Sequence, residues 1–110
     1  MAMYRVFPDE NGESHIEPLS LDDHAYLEAF NNVTEAGIRH YSELRWMDFH
    51  PLPERRLIIQ LVGEIEIGLS DGTKQRFGPG DVRLMEDVTG KGHTHEDVTE
   101  CTQFIMMLKD

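Results

Sequence analysis

Cysteine is almost absent from this 110-residue sequence: Cys101 stands alone, so no internal disulfide can form. This usage fits a reducing compartment, and we expect a cytoplasmic protein. No apolar run approaches the roughly 18 residues that a membrane-spanning helix needs. The first residues, MAMYRVFPDE, also lack the basic and then apolar pattern of a secretion signal.

Basic residues are few, with 10 lysines and arginines against 21 aspartates and glutamates, which gives a net charge of −11. The acidic residues are spread along the chain and are not held in one tail. Nucleic acids and anionic membranes are bound through basic patches, so we expect neither as a partner.

The length suits one structural domain with an apolar core. Within it, we expect residues 1–36 to form an N-terminal arm with a short helix and residues 37–110 to form a barrel. A capping box that begins at Ser20 predicts the helix over residues 21–30. A single long strand is predicted over residues 38–49.

Short strands and regular turns dominate the region from His50 to His95. Apolar and polar residues alternate over residues 64–69, which is the pattern of a half-buried strand. Residues 70–72 (Ser-Asp-Gly) and 78–81 (Gly-Pro-Gly-Asp) have the composition of tight turns. This spacing predicts an antiparallel sandwich or barrel.

Two segments of this region resemble the second sequence motif of the cupin family. The turn Gly80-Asp81 with the strand residues 82–85 resembles the opening of that motif. Residues 90–93 (Gly-Lys-Gly-His) resemble its loop, and His93 takes the place of its metal-binding histidine.

The first cupin motif is matched only in part. Gly63 fits the glycine of that motif, and His50 fits its first histidine. Arg56 stands where cupins place a ligand glutamate, and Leu52 where they place the second histidine. Residues 48–51 (Asp-Phe-His-Pro), Glu86-Asp87 and the Gly-Lys-Gly-His segment together resemble a small bacterial cupin subgroup.

The resemblance implies an all-β fold: a small single-domain cupin, an antiparallel β-barrel or jelly roll with an N-terminal strand arm and one short helix. It also implies a homodimer, since such arms often pair across a dimer interface. The usual cupin ligand set of three histidines and one glutamate is incomplete in this chain.

Strand alternation predicts which polar side chains face the barrel interior. Val82, Leu84 and Glu86 are expected to face inward on their strand. Polar groups that converge in an otherwise apolar interior indicate a ligand site. The residues expected there are Asp48, His50, Arg56, Gln60, Glu86, His93 and His95, with Trp46 as a pocket wall or a core residue.

One hypothesis for this site is a metal centre. His50, His93 and Glu86 would supply two imidazoles and one carboxylate, and His95 an optional fourth ligand. This donor mixture suits Zn, Fe, Mn or Ni and leaves open positions for a substrate. The Arg56 guanidinium would be repelled by such a metal unless a carboxylate neutralised it.

A second hypothesis needs no metal. Arg56 would hold a substrate carboxylate or phosphate, and His50 or His93 would act as general base with Glu86 as a further titratable group. Arg56 and Glu86 could instead form an ion pair that serves only the structure.

We therefore expect a cupin-type enzyme of isomerase, lyase or oxygenase type that acts on a small polar carbonyl or carboxylate compound, with His93, Glu86 and Arg56 as its catalytic residues. The alternatives are a non-catalytic binding or sensing module, and a barrel with no chemistry at its site. The sequence leaves open whether the chain catalyses a reaction at all.

Overall fold

Ten strands and one short 3-10 helix make up residues 1–109, the part of the chain that the computed structural model describes. The helix covers Ala25–Glu28. The strands, in chain order, are β1 (Met3–Pro8), β2 (Ser14–Pro18), β3 (Val33–Tyr41), β4 (Trp46–His50), β5 (Arg55–Val62), β6 (Ile65–Gly68), β7 (Lys74–Phe77), β8 (Val82–Met85), β9 (His93–Asp97) and β10 (Cys101–Leu108).

The strands form two sheets. The six-stranded sheet has the order β2-β1-β8-β5-β10-β3, and the four-stranded sheet has the order β4-β9-β6-β7. Neighbouring strands are antiparallel except for β1 and β8, which are parallel. The N-terminal arm is thus a hairpin of β1 and β2 that extends the larger sheet. The predicted all-β fold is confirmed.

The main core lies between the two sheets, because its buried apolar residues come from both of them. Ile65, Ile67 and Phe77 belong to the smaller sheet, and their alternation with polar residues is the pattern seen in the sequence. Ile58 and Ile105 face them from neighbouring positions on β5 and β10.

A second, smaller apolar cluster covers the opposite face of the six-stranded sheet. Leu84 and Leu108 are buried there, and Leu27 and Phe30 from the segment after β2 pack over them. The expectation that Leu84 faces the barrel interior is therefore wrong. Both faces of β8 are covered, so apolar residues alone do not indicate which face of that strand is the inner one.

The predicted helix over residues 21–30 is reduced to the single turn at Ala25–Glu28. Ser20 does accept a hydrogen bond from the Asp22 amide, at 3.2 Å between Oγ and N, and this closes a local turn. Ala29 is extended, with φ −151° and ψ 141°, and ends the helix. No helix among residues 1–109 is long and apolar enough to cross a membrane.

The long strand predicted over residues 38–49 is two strands that belong to different sheets. β3 ends at Tyr41 and β4 begins at Trp46, with a loop between them. The pairing of β4 with β9 shifts between Met47 and His50, which is a bulge. The bulge changes the alternation, so Met47 and His50 face inward while Trp46 and Asp48 are exposed.

Candidate functional site

A cavity of about 150 Å³ opens between the two sheets. No Asp or Glu of residues 1–109 lines it. Apolar side chains such as Met47, Ile58 and Ile67 form part of the wall. The charged and titratable residues that line it are four arginines and three histidines, with one tyrosine: Arg39, Arg45, Arg56, Arg83, His50, His93, His95 and Tyr41.

Arg83 is the most buried of these arginines, at 1% exposure. Its Nη1 donates to Oε1 of Gln60 at 3.2 Å, and its Nη2 donates to Oε1 of Gln103 at 2.9 Å. Burial lowers the pKa of Arg83 to about 10, so the guanidinium stays protonated at neutral pH. Each of the two neutral amides accepts one hydrogen bond from the guanidinium, but neither compensates its charge.

Arg45, in the loop between β3 and β4, is held by a two-pronged ion pair with Asp97. Nε lies 2.6 Å from Oδ2 and Nη2 lies 3.0 Å from Oδ1. The guanidinium also stacks over the Tyr41 ring, 3.3 Å from its centroid. Burial lowers the pKa of Arg45, but the hydrogen bond to Asp97 outweighs this and raises it overall.

His95 shares Asp97 with Arg45, because its Nε2 donates to Oδ1 at 2.7 Å. Burial, helped by the charges of Arg83 and Arg45, lowers the pKa of His95 to about 4 despite that hydrogen bond. Burial raises the pKa of Asp97, but hydrogen bonds from Arg45 and His95 outweigh it and bring the value to about 2. At neutral pH the ring is therefore uncharged and the carboxylate is ionised.

His93 and His50 form a pair of rings in the cavity wall, with centroids 4.9 Å apart. His93 Nδ1 donates to Oδ2 of the fully buried Asp87 at 2.6 Å, and Ser14 Oγ donates to the same oxygen at 3.2 Å. His50 Nδ1 donates to the Asp48 carbonyl at 2.8 Å. Because a carbonyl or carboxylate oxygen accepts, Nδ1 is the donating nitrogen of each ring, and the Nε2 atoms take no part in these two contacts.

Gly92 allows the two histidines to come this close. A Cβ at this position would lie 1.9 Å from the His50 carbonyl oxygen, and φ is +75°. Glycine tolerates both conditions, whereas other residues are strained by them. The Gly-Lys-Gly segment thus serves as a turn that brings His93 of β9 against His50 of β4, and its lysine, Lys91, pairs with Glu13 at the surface.

The structure brings together four of the residues expected at the site: His50, His93, His95 and Arg56 line the cavity. Gln60 is fully buried and contacts Arg83. Asp48 is exposed and Trp46 is 63% exposed, so neither lines the cavity.

Glu86 lies away from the cavity and is paired with other arginines. Arg5 Nε donates to one of its oxygens, and Arg55 Nε donates to the other at 2.7 Å. Arg56 pairs instead with Glu54, at 3.0 Å between Nη2 and Oε1. The alternative in which Arg56 and Glu86 form an ion pair is wrong, because each of them pairs with another residue.

Three cavity arginines were missed by the sequence reasoning: Arg39, Arg45 and Arg83. Val82 and Leu84 lie on the face of β8 opposite to Arg83. Because both are apolar, the sequence indicated that their face was the inner one. Arg39 and Arg45 lie in the region expected to form one strand. No local pattern in the sequence marks these three arginines as neighbours, because they are brought together only by the fold.

The two-sheet arrangement matches that of a solved structure, a cupin superfamily protein from Desulfitobacterium hafniense. The match covers 94% of this chain and 95% of that one, with a TM-score of 0.52 and 18% sequence identity. The chain has a cupin fold. No protein-family model matches the sequence, and no curated protein matches it.

Two further structures are similar to this cupin fold at lower scores. A protein from Neisseria meningitidis has a TM-score of 0.40 at 16% identity, with 84% of this chain and all of that one covered. A candidate ethanolamine utilization protein Q from Salmonella typhimurium has a TM-score of 0.40 at 12% identity, with 98% and 94% covered. The fold assignment rests on the first structure.

The side chains expected to hold a metal do not form a suitable set of ligands in this structure. His50 and His93 each offer a ring nitrogen, but Glu86 lies elsewhere and His95 uses Nε2 for a carboxylate. Within residues 1–109, no group of three or more His, Cys, Asp or Glu side chains could hold a metal ion. Four guanidinium groups also oppose a divalent cation in the same cavity.

Proposed function

We propose that this cupin binds a small carboxylate-bearing or phosphate-bearing molecule in the arginine-lined cavity and transfers a proton on it, with His93 as the base. The observation that carries the proposal is Arg83, a buried guanidinium with no carboxylate partner among residues 1–109. A fixed cation in a low-dielectric interior attracts an anion far more strongly than one at the surface. An isomerase or lyase reaction requires such a proton transfer.

The binding part of the proposal rests on the charge of the cavity wall. Four guanidinium groups line it, and the carboxylates that pair with Arg45 and Arg56, of Asp97 and Glu54, do not. Arginine is suited to carboxylate and phosphate because its planar donors match both groups in two-pronged contacts. The whole chain carries −11, so this wall differs in sign from its surroundings.

The proton-transfer part rests on the pair of His93 and Asp87. The buried carboxylate holds the ring with Nδ1 protonated, which leaves Nε2 to accept a proton from a bound molecule. The imidazolium that forms is then stabilised by the same carboxylate. The proton would leave a carbon next to the ligand's carbonyl group, and the electron pair left behind would be stabilised by the arginines.

The alternative is a binding or sensing cupin that holds the same anion without reacting with it. The arginine cluster supports this reading equally well. The two readings differ only in whether a bound molecule exchanges a carbon-bound proton.

Binding is tested by calorimetric titration with succinate and methyl phosphate, against succinamide as a neutral molecule of similar size. We expect the anions to bind and succinamide not to bind. Arg39→Gln should weaken anion binding about tenfold, because one charged contact is lost. Arg76→Gln, at an exposed residue of β7 that does not line the cavity, is the matched control and should leave binding unchanged. Failure of both anions to bind would refute the proposal.

Catalysis is tested in deuterated water by proton NMR of a panel of 2-oxo and 2-hydroxy carboxylates, with buffer alone as background. An enzyme should exchange the proton on the carbon next to the carbonyl or carboxylate. His93→Gln should abolish exchange while the calorimetric affinity for succinate changes by less than about threefold. Binding without exchange of any compound in the panel would favour the binding module.

A further inference from the structure

The charges that line the cavity do not balance. Arg45 is paired with Asp97 and Arg56 with Glu54. Arg83 is bonded only to the neutral amides of Gln60 and Gln103. Within residues 1–109, Arg39 forms no ion pair. Two of the four guanidinium groups, Arg39 and Arg83, therefore keep a full positive charge that the protein does not cancel.

Both uncompensated arginines lie beside Gln103. Its Oε1 accepts from Arg83 Nη2, and in the pairing of β10 with β3 it stands directly opposite Arg39. Directly opposite residues on antiparallel strands point to the same face of a sheet. Arg56 stands opposite Met107, four residues further along β10 and toward the other end of the cavity.

The remaining titratable groups of this region do not cancel the two charges. His95 is neutral at pH 7, and Asp97 is committed to Arg45 at short distance. Asp97 attracts Arg83 only from further away, while Arg45 repels it. The end of the cavity near Gln103 therefore holds a surplus of two positive charges.

From this surplus we infer that the ligand of the proposed function is a small dianion, with Arg39 and Arg83 as its receptor. The inference rests on that function and specifies its ligand class. Two carboxylates or one phosphate monoester supply the same two negative charges. The volume of about 150 Å³ limits the ligand to a small molecule.

Gln60 and Gln103 hold Arg83 in place without weakening its attraction for an anion. Both amide oxygens are buried and accept from the guanidinium, so the side chain is fixed before a ligand arrives. A glutamate of the same length would hold it equally well but would cancel its charge. We therefore assign these two glutamines a positioning role.

The inference is tested by titrating the full chain with two matched pairs of probes near pH 8. The first pair is succinate, a dianion, and succinamate, a monoanion of similar size. The second pair is methyl phosphate, a dianion, and dimethyl phosphate, a monoanion. We expect the dianion to bind at least about tenfold more tightly than the monoanion in at least one pair. The pair that shows the difference identifies the source of the two charges as carboxylates or a phosphate.

Gln103→Glu gives the second test, with Gln75→Glu on β7, at a residue that does not line the cavity, as its control. Gln103→Glu should lower the affinity for the preferred dianion about tenfold or more and raise the melting temperature of the ligand-free protein. A merely structural role of Gln103 predicts no selective loss of the dianion over the monoanion. Arg39→Gln should also reduce the preference for the dianion. This variant leaves the buried Gln103 unchanged, so its result holds even if Gln103→Glu disturbs the fold.

Three outcomes are distinguished. A dianion preference that Gln103→Glu or Arg39→Gln reduces supports the inference. Equal binding of dianion and monoanion in both pairs overturns it and leaves the proposed function intact. No binding of any anion overturns the proposed function, and the inference with it.

Discussion

At the scale of single residues, the cavity depends on His95 remaining uncharged. Its ring lies against two guanidinium groups, of Arg45 and Arg83, and only Asp97 offsets their repulsion. A positive charge on this ring would be repelled by both guanidinium groups and would compete with Arg45 for the Asp97 carboxylate. The neutral state of His95 is therefore linked to the folded arrangement.

This linkage predicts that stability falls with acidity before the carboxylates titrate. The pKa of His95 is about 4 in the folded chain and 6.5 in the unfolded one, so between these values the unfolded chain binds the extra proton. Stability is thus present above pH 6.5 and is lost as the pH falls toward 4, by about 2 kcal/mol from this residue at pH ~4.5. Asp97 stays ionised there, since its own contribution is lost only between 3.8 and about 2.

The measurement is urea denaturation near pH 7.5 and near pH 4.5. We expect His95→Gln to lose about 2 kcal/mol less than the unmodified protein between these conditions, since glutamine cannot take up the proton. The other histidines are common to both proteins and cancel in the comparison. An equal loss in the two proteins would show that His95 does not titrate as described.

Gly92 provides a second prediction at this scale. Gly92→Ala should destabilise the protein by more than about 2 kcal/mol, because the new Cβ meets the His50 carbonyl in a backbone region that disfavours alanine. Gly72 has a similar φ of +91° but open space around it. Gly72→Ala should therefore cost only about 1 kcal/mol, the backbone penalty alone. Thermal denaturation of both variants checks this, and equal losses would contradict the steric argument.

The sequence predicted some cavity residues and missed others for an identifiable reason. His50, Arg56 and His93 were found because cupin motifs mark their positions. Arg83 was missed because Val82 and Leu84 made the other side of β8 look like the inner face. The apolar cluster that covers that side comes from residues 19–30, and alternation within one strand carries no information about such a cover.

At the scale of elements, β3 is the most exposed strand. It is the last strand of the six-stranded sheet, and Ile38 on it is 68% exposed. A nine-residue edge strand with exposed apolar side chains is a template for pairing with another chain. We propose that a homodimer forms at this edge, and not through the N-terminal arm as the resemblance implied, because the arm lies at the opposite edge of the sheet.

Sedimentation velocity tests this proposal. The protein should sediment at twice its chain mass of 12.7 kDa. Ile38→Lys should produce monomers, because the added charge would be buried at the interface. Leu21→Lys, at a position that is 50% exposed and outside the sheets, is the control and should remain dimeric. A dimer that Ile38→Lys leaves intact would place the interface elsewhere.

The elements themselves were predicted unevenly. The turns at residues 70–72 and 78–81 separate β6, β7 and β8, and the sequence correctly predicted strands at β6 and β8. The break between β3 and β4 has no glycine or proline at residues 42–45. It is held instead by Arg45, which pairs with Asp97, 52 residues later in the chain. Such a long-range contact has no local signature.

At the scale of the whole molecule, the two sheets gather basic side chains that are far apart in the sequence. Arg39 and Arg83 come from β3 and β8, which β5 and β10 separate in the same sheet. The net charge of −11 keeps anions away from the rest of the surface, so the cavity is the favourable place for one. The all-β barrel followed from strand and turn spacing and the cupin fold from the resemblance to cupin motifs, whereas the sign of the cavity required the three-dimensional structure.

The most direct test of anion binding in this cavity is the crystal structure of the protein soaked in selenate, a small dianion whose selenium is located by anomalous scattering. We expect an anomalous peak in the cavity beside the guanidinium groups of Arg39 and Arg83, and its loss in Arg39→Gln crystals. Selenate peaks at surface arginines and lysines but none in a cavity open to solvent would contradict the proposed anion site.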